Sequence, residues 1–207
     1  MIRFFFFLLL SSYLTISAQS RFEGTVTFSI TKGKEVMTRT VWVKNDSIRV
    51  EEFIGNNQKN KSIYLIDGKS KVGFILSPER KLYMKTVPYE TTEDIEVSDA
   101  IVLEKDSLFG YEVEQWQLSA IDLKRTINFA FSPNDFFFYR DLLYALPDRT
   151  FLERVFLQLP LAENVLPLLA EYTDINDQRI YQMKVVEIDV SIPSSKLFRI
   201  PKGFTQF

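Results

Sequence analysis

The stretch Phe22-Glu23-Gly24-Thr25-Val26-Thr27-Phe28-Ser29-Ile30 decides the fold class of this chain. Phe22, Gly24, Val26, Phe28 and Ile30 occupy every second position, and polar residues fill the positions between them. Because the side chains of a β-strand alternate between the two faces of a sheet, this pattern predicts a strand with one buried face. The turn Lys32-Gly33-Lys34 and the β-branched run from Val36 to Val43 predict an antiparallel return strand.

Similar signals continue downstream of this first hairpin. Asn45-Asp46 and Asp67-Gly68-Lys69 are turn sequences, since Gly tolerates a positive φ without a Cβ clash. The segment 89–99 is acidic and rich in Thr, and it predicts an exposed loop because its carboxylates lack the spacing and the central Gly of an EF-hand loop. Further strands are predicted at 47–53, 62–67, 72–76, 81–85, 111–119 and 124–131.

The apolar period changes from strand-like to helical after Phe131. Ser132 is a suitable N-cap, Pro133 suits the first helical position, and the helix is predicted to end near Leu146 because Pro147 follows.

A second helix is predicted to begin at Thr150, where Glu153 completes a capping box, and to end at Pro160. Strands then return at 169–174 and 179–190. The expected fold is therefore α+β and mainly antiparallel β, with a helical insertion at about 132–169 that covers one face of the sheet or closes the mouth of an incomplete barrel.

The N-terminus has the pattern of a secretory signal peptide. Arg3 supplies a positive charge, residues 4–10 form an apolar run, and Ala18-Gln19-Ser20 offers small residues for cleavage. The apolar run is far shorter than the roughly 20 residues that cross a bilayer. We expect residues 1–20 to be the signal peptide, residues 21–207 to form a single domain, and the product to be exported, with the periplasm favoured over the extracellular space.

Composition excludes several classes of function. The chain has no Cys and no His, so it has no disulfide, no lipid-modified Cys, no Ser-His or Cys-His catalytic pair and no His-ligated metal. With 25 basic and 27 acidic side chains it also lacks the basic excess of nucleic-acid-binding proteins. No cofactor, no metal and no catalysis are expected. The remaining enzymatic alternative is a carboxylate-only hydrolase that uses Glu112 and Glu114, which share a strand face.

Aromatic and aliphatic side chains supply the candidate ligand contacts, since such residues dominate small-molecule sites. They come from the predicted strands and from the first predicted helix, which is apolar around much of its circumference. The ligand-lining candidates are Phe28, Trp42, Trp116, Phe129, Phe131, Phe137 and Leu142. Core packing is the alternative role for each of them.

Three segments carry a family resemblance: Phe22 to Val26, Ile66-Asp67-Gly68 with the following Leu76 to Met84, and Leu197 to Phe204. They resemble exported Bacteroidota proteins that are similar to the LolA-like lipoprotein carriers. The resemblance implies a curved half-barrel whose concave apolar face, covered by helices, holds acyl chains. The classical carriers begin with a helix, whereas this chain begins with a strand and places its helices after Phe131.

The short sequences Asp46-Ser47-Ile48 and Asp106-Ser107-Leu108 are similar to the O-glycosylation site of Bacteroidota envelope proteins, which makes Ser47 and Ser107 candidate modification sites. The leading functional expectation is a non-catalytic periplasmic carrier or binding protein for a lipid, an acyl chain or a lipidated partner. The alternative is a structural or interaction module of the envelope whose concave side is filled by its own side chains.

Overall fold

The computed structural model describes residues 21–55, 61–86, 95–98, 100–120, 124–176 and 178–207, so the predicted signal peptide lies outside the described residues. The described chain forms one 12-stranded sheet and two α-helices. The strands are β1 (Gly24–Lys32), β2 (Glu35–Lys44), β3 (Ser47–Ile54), β4 (Ser62–Asp67), β5 (Val72–Ser77), β6 (Leu82–Lys85), β7 (Ile101–Leu108), β8 (Tyr111–Ala120), β9 (Arg125–Ser132), β10 (Leu166–Thr173), β11 (Arg179–Asp189) and β12 (Thr205–Gln206). The helices are α1 (Phe138–Ala145) and α2 (Phe151–Gln158).

The sheet is open and curled, and its strand order is β12-β6-β5-β4-β3-β2-β1-β11-β10-β9-β8-β7. The first strand therefore lies in the middle, with β2 on one side and β11 on the other. Neighbouring strands are antiparallel except for β12, which runs parallel to β6. A continuous antiparallel sheet of this kind matches the expected fold class.

One face of the sheet, here called the inner face, forms the main core. In β1 it carries Val26, Phe28 and Ile30, which are at most 3% exposed. The cross-strand neighbours of these residues point to the same side, as the register Val26↔Val41↔Val50 illustrates. The alternation from Phe22 to Ile30 thus places the apolar residues of β1 directly in the core.

The two helices pack on the inner face. The Tyr139 ring of α1 lies 6.1 Å from the Phe28 ring, and the Phe156 ring of α2 lies 5.8 Å from the Phe131 ring. Tyr139 and Phe156 also contact each other edge to face at 5.1 Å. The helices therefore share one hydrophobic core with the sheet.

The C-terminal residues pack on the opposite, outer face. Ile200 and Phe204 cover a smaller apolar cluster formed by Ile63, Leu65 and Leu76. A backbone hydrogen bond of 3.0 Å from the Thr205 amide to the Lys81 carbonyl starts the β12–β6 pairing. This tail covers the sheet edge at β6.

The helical segment differs from the prediction at both ends. Ser132 does not cap a helix; it is fully buried in β9, opposite Leu166, and α1 begins six residues later. Pro167 does not interrupt the chain before β10 but lies within that strand, next to a register shift that accommodates it. The connection between β9 and β10 is thus shorter than the predicted 132–169.

Two further strands were not predicted. β7 falls where the sequence shows charged residues and no alternation, because it is a sheet edge with exposed side chains on both faces. β12 has only two residues and forms through the tail contacts described above. Most of the predicted acidic loop at 89–99 lies outside the described residues, although Val97 forms a bridge with Ala120.

Gly24 opens β1 with a φ of +153°, and a Cβ atom at this position would overlap the carbonyl oxygen of Asp189. We expect Gly24→Ala to lower the free energy of unfolding by about 3 kcal/mol, because the β1–β11 backbones would have to separate. Urea denaturation measures this loss.

Gly33→Ala is the matched control for Gly24→Ala. Gly33 also has a positive φ, of +60°, but no atom of the part of the chain that the structure describes lies within 4 Å of its added Cβ. We therefore expect only the backbone penalty of about 1 kcal/mol. Equal losses in the two variants would contradict the proposed close approach of β1 and β11.

Candidate binding site

A cleft of about 410 Å³ opens between the sheet and the loop that joins α1 to α2; we call it the mouth cleft. Several strand ends meet here on the inner face, including the end of β1 at Lys32 and the first half of β2 at Met37. The loop supplies the opposite wall from Leu146 to Phe151. The lining residues are Lys32, Met37, Arg39, Glu52, Tyr64, Leu146, Asp148, Arg149, Thr150, Phe151, Tyr172 and Tyr181.

A buried ion network forms the floor of the mouth cleft. Arg39 of β2 occupies an inner-face position opposite Phe28 and is only 3% exposed, although it carries a charge. Its Nε donates to Glu52 of β3 at 2.6 Å, and its Nη1 donates to the fully buried carboxylate of Glu153 in α2. One guanidinium thus joins two strands to a helix.

The position of Glu153 follows from the local sequence of α2. Thr150 caps the helix, and its hydroxyl accepts from the Glu153 amide at 3.3 Å. The second Glu153 carboxylate oxygen accepts from the Thr150 amide at 2.7 Å. The predicted capping box is confirmed, and it holds the carboxylate at the helix N-terminus, where a negative charge is favoured.

Burial and ion pairing oppose each other in this network. Burial alone would raise the pKa of the Glu153 carboxyl, but the charge and hydrogen bond of Arg39 and the Thr150 amide outweigh it and hold the pKa below its ordinary value. Burial would likewise lower the pKa of Arg39, but Glu153 and Glu52 outweigh it and raise this pKa. Arg39 and Glu153 therefore both remain charged at neutral pH.

Tyrosines form one wall of the mouth cleft. Tyr172 of β10 and Tyr181 of β11 stack with 5.7 Å between ring centroids. The Arg125 guanidinium lies over the Tyr172 ring, 4.7 Å from its centroid. Among the described residues, the buried Tyr181 hydroxyl has no partner with good hydrogen-bond geometry, although Thr150 is close enough to affect its pKa. Burial, reinforced by the negative charge of Glu153, raises the pKa of Tyr181, so its hydroxyl stays protonated.

The structure brings five of the predicted ligand-lining residues together on the inner side of the sheet. Four of them are at most 2% exposed and belong to the main core, whereas Trp116 is partly buried and packs edge to face on Phe131 at 5.5 Å. These five residues are Phe28, Trp116, Phe129, Phe131 and Leu142. They now contact one another and the helices, and a ligand would reach them only by displacing those contacts.

The other predicted candidates lie elsewhere. Trp42 is cross-strand from Thr25 and Arg49 on the outer face. Phe137 precedes α1 and lies under the Arg21 guanidinium, 5.6 Å from ring centroid to cation. Ser47 starts β3, and Ser107 is exposed on β7; their glycosylation stays a prediction.

Phe137 lines a second cleft of about 670 Å³ whose rim is charged and mixed in sign. Arg21 pairs there with Asp46 at 2.6 Å, and Lys71 lies 4.3 Å above the Tyr144 ring. Arg21 and Lys71 of this cleft thus already have partners within the protein. We therefore place the candidate site at the mouth cleft, which is continuous with the inner face.

Other sequence-derived candidates form no comparable site. Glu112 and Glu114 do share a face of β8, but Glu114 pairs with the exposed Lys105 at 3.5 Å. Within the described ranges, no three acidic side chains converge as metal ligands. Neither described helix is long and apolar enough to cross a membrane.

The Arg39–Glu52–Glu153 network was not predicted from the sequence. A signal was present, because Arg39 and Glu52 fall at positions where the alternation of β2 and β3 requires inward-facing residues. A charged residue at a core position implies an ionic partner. That partner could not be named, since Glu153 is 114 positions away and was explained fully by its capping box.

Comparison with known proteins supports the fold. No family model matches the chain, and no curated protein matches it. A conserved protein from Thermus thermophilus has a solved structure that aligns with a TM-score of 0.51 and 12% identity, covering 88% of each chain. MucB in the Pseudomonas aeruginosa MucA/MucB complex aligns with a TM-score of 0.48 and 11% identity, covering 84% of this chain and 54% of that one.

We expect Glu153→Gln to lower the free energy of unfolding by about 3 kcal/mol at pH 7, because it removes one carboxylate of a buried ion network. The loss should be smaller at low pH. A carboxyl whose pKa is lowered by folding stabilises the protein above its unfolded pKa, near the ordinary 4.5, and this contribution disappears as the pH falls through the folded value. Chemical denaturation from pH 7 to pH 3 measures both effects.

Glu52→Gln is the control for Glu153→Gln, since it leaves the Arg39–Glu153 pair intact. Glu52 is partly exposed, with 15% of its side chain accessible, so we expect a loss of about 1.5 kcal/mol. A Glu153→Gln variant with the same pH dependence as the parent protein would show that Glu153 is not the titrating group.

Proposed function

We propose that this chain is a non-catalytic binding protein of the cell envelope that takes a lipid, an acyl chain or a lipidated partner between the sheet and its two helices. One observation carries the proposal: two helices of eight residues each cover a large apolar sheet face. Isolated helices shorter than about 12 residues are unstable in water, so α1 and α2 depend on docking. An apolar ligand that replaces their contacts would displace them.

The energetics of such an exchange are favourable for a long apolar chain. Each methylene removed from water contributes about 0.8 kcal/mol, so an acyl chain can compete with helix packing without a charged contact. The mouth cleft supports entry at one end, because Met37, Leu146 and Phe151 contribute apolar side chains to its lining, beside the ion network. The signal-peptide pattern of residues 1–20 and the resemblance to LolA-like carriers favour the periplasm as the location.

The two tryptophans provide a test, since Trp116 faces the inner side and Trp42 the outer side. We expect a brominated fatty acid to quench the fluorescence of Trp116 in the Trp42→Phe variant, because bound bromine atoms would lie close to that ring. Trp42 in the Trp116→Phe variant should keep its intensity. Steady-state titration gives both curves.

The comparison also distinguishes specific from nonspecific binding. Equal quenching of both tryptophans would indicate association with the outer surface or with micelles. If Trp116 is not quenched in the Trp42→Phe variant at fatty-acid concentrations below micelle formation, the proposal is contradicted.

The second candidate is an interaction module with no ligand space between sheet and helices. It is favoured by the packing of Phe28, Phe129, Phe131 and Leu142, which fill the inner face with at most 2% exposure. In this alternative the helices are permanent core, and partners bind to the surface.

Amide hydrogen exchange separates the two candidates. If an acyl chain enters, we expect its occupancy to change the protection of α1 and α2 more than that of β11, because the helices form the displaceable cover. Exchange is measured by mass spectrometry with and without fatty acid. Protection that is unchanged in helices and strand alike would favour the interaction module.

A further inference from the structure

The Tyr181 hydroxyl is a buried polar group at the mouth cleft that lacks a hydrogen-bond partner. Tyr181 belongs to β11, is 6% exposed and contributes to the lining of the cleft. Within the described segments of the chain, no group completes a hydrogen bond with its hydroxyl. Most buried polar side-chain atoms do have a partner, because an unpaired hydroxyl costs free energy. The Tyr181 hydroxyl is therefore a candidate contact for a ligand.

The start of α2 lies against this hydroxyl. The side chain of Thr150, the N-cap of α2, is within reach of it, and the Glu153 carboxylate is near enough to reinforce the effect of burial, which raises the pKa of Tyr181. Thr150 already accepts from the Glu153 amide at 3.3 Å. Displacement of α2, which the proposed function requires for the entry of an acyl chain, would uncover the hydroxyl and give a ligand access to it.

The charges around the mouth cleft favour an uncharged ligand group. The cations and anions that surround the cleft are equal in number, so an ionised group meets no excess of opposite charge. They are Lys32, Arg39 and Arg149, and Glu52, Asp148 and Glu153. At the Tyr181 hydroxyl, the Glu153 charge has a stronger effect on the pKa than the Arg39 charge. A carboxylate bound there would face a like charge, whereas a neutral acceptor would not.

We propose that the Tyr181 hydroxyl donates a hydrogen bond to the uncharged carbonyl oxygen of an acyl ester, which the mouth cleft holds while the acyl chain extends along the inner face. This inference rests on the proposed function, because it requires an acyl chain between the sheet and the helices. A free fatty acid, which is ionised at neutral pH, keeps its carboxylate at the solvent side of the cleft, near the exposed Lys32.

Removal of the hydroxyl tests the contact. The probes are a brominated fatty acid, its methyl ester and a brominated alkane of the same length, each delivered from cyclodextrin and detected by quenching of Trp116 in the Trp42→Phe background. We expect Tyr181→Phe to raise the Kd of the ester about fivefold, since one neutral hydrogen bond is lost. The Kd values of the alkane and the acid should not change, because neither places a carbonyl oxygen at this hydroxyl.

Tyr83→Phe is the matched control, since it removes a hydroxyl from the opposite face of the sheet. Tyr83 of β6 packs beside Phe74 in the outer cluster, with 5.8 Å between ring centroids. It should leave all three Kd values unchanged. An equal rise in the Kd of the ester in both variants would overturn the inference.

The stability of the ligand-free protein separates a ligand contact from a structural role. We expect the urea midpoint of Tyr181→Phe to equal or exceed that of the parent protein, because the lost hydroxyl leaves no bond broken. A lower midpoint would show that the hydroxyl binds Thr150 as part of the folded structure, and it would overturn the inference.

The three probes also separate this inference from the proposed function. If Trp116 is quenched but the ester binds Tyr181→Phe as tightly as the parent protein, the inference fails and the proposed function stands. If Tyr181→Phe weakens binding of the acid and not of the ester, the ligand group is a carboxylate and the inference fails. If none of the three probes quenches Trp116, both proposals fail.

Discussion

The burial of the Arg39 guanidinium on the inner face constrains how the helices and the sheet fit together. A cation at that position is tolerated only with ionic partners close by, and the chain provides one from the adjacent strand and one from a helix far along the sequence. Apolar packing can slide by small amounts, whereas a hydrogen-bonded ion pair fixes distance and direction. The network therefore sets the position of α2, and through the Tyr139–Phe156 contact it also limits the position of α1.

Local signals in the sequence were sufficient for most of the sheet. The β4 strand was predicted at its observed limits, because alternation and the Asp67-Gly68 turn agree, and the α2 cap was predicted because Thr150 and Glu153 interact over one turn. The start of α1 was wrong, since tertiary pairing of Ser132 with Leu166 overrides its tendency to cap. Strand β7 was missed because an edge strand buries neither face and so has no period to detect.

The candidate site was less accessible from sequence than the fold. Aromatic composition correctly indicated an apolar inner face, but it could not tell which rings face inward: Trp42 and Trp116 look alike in sequence and lie on opposite faces of the sheet. The mouth cleft depends on strand ends that are distant in the chain and on the loop from Leu146 to Phe151. Such a site is defined by strand register, which a single sequence does not specify.

The network that holds α2 is compatible with the proposed displacement of this helix. Breaking an ordinary buried ion pair leaves a charge without compensation, which costs several kcal/mol. Here both members of the Arg39–Glu153 pair have a second partner. Arg39 keeps Glu52 on the neighbouring strand, and Glu153 keeps the Thr150 amide at the start of its own helix. Separation of α2 from the sheet would therefore expose charged groups to water while each retains one contact. A helix docked in this way has a fixed position and can still be displaced. A purely apolar interface would fix its position less precisely, and an isolated ion pair would oppose its displacement.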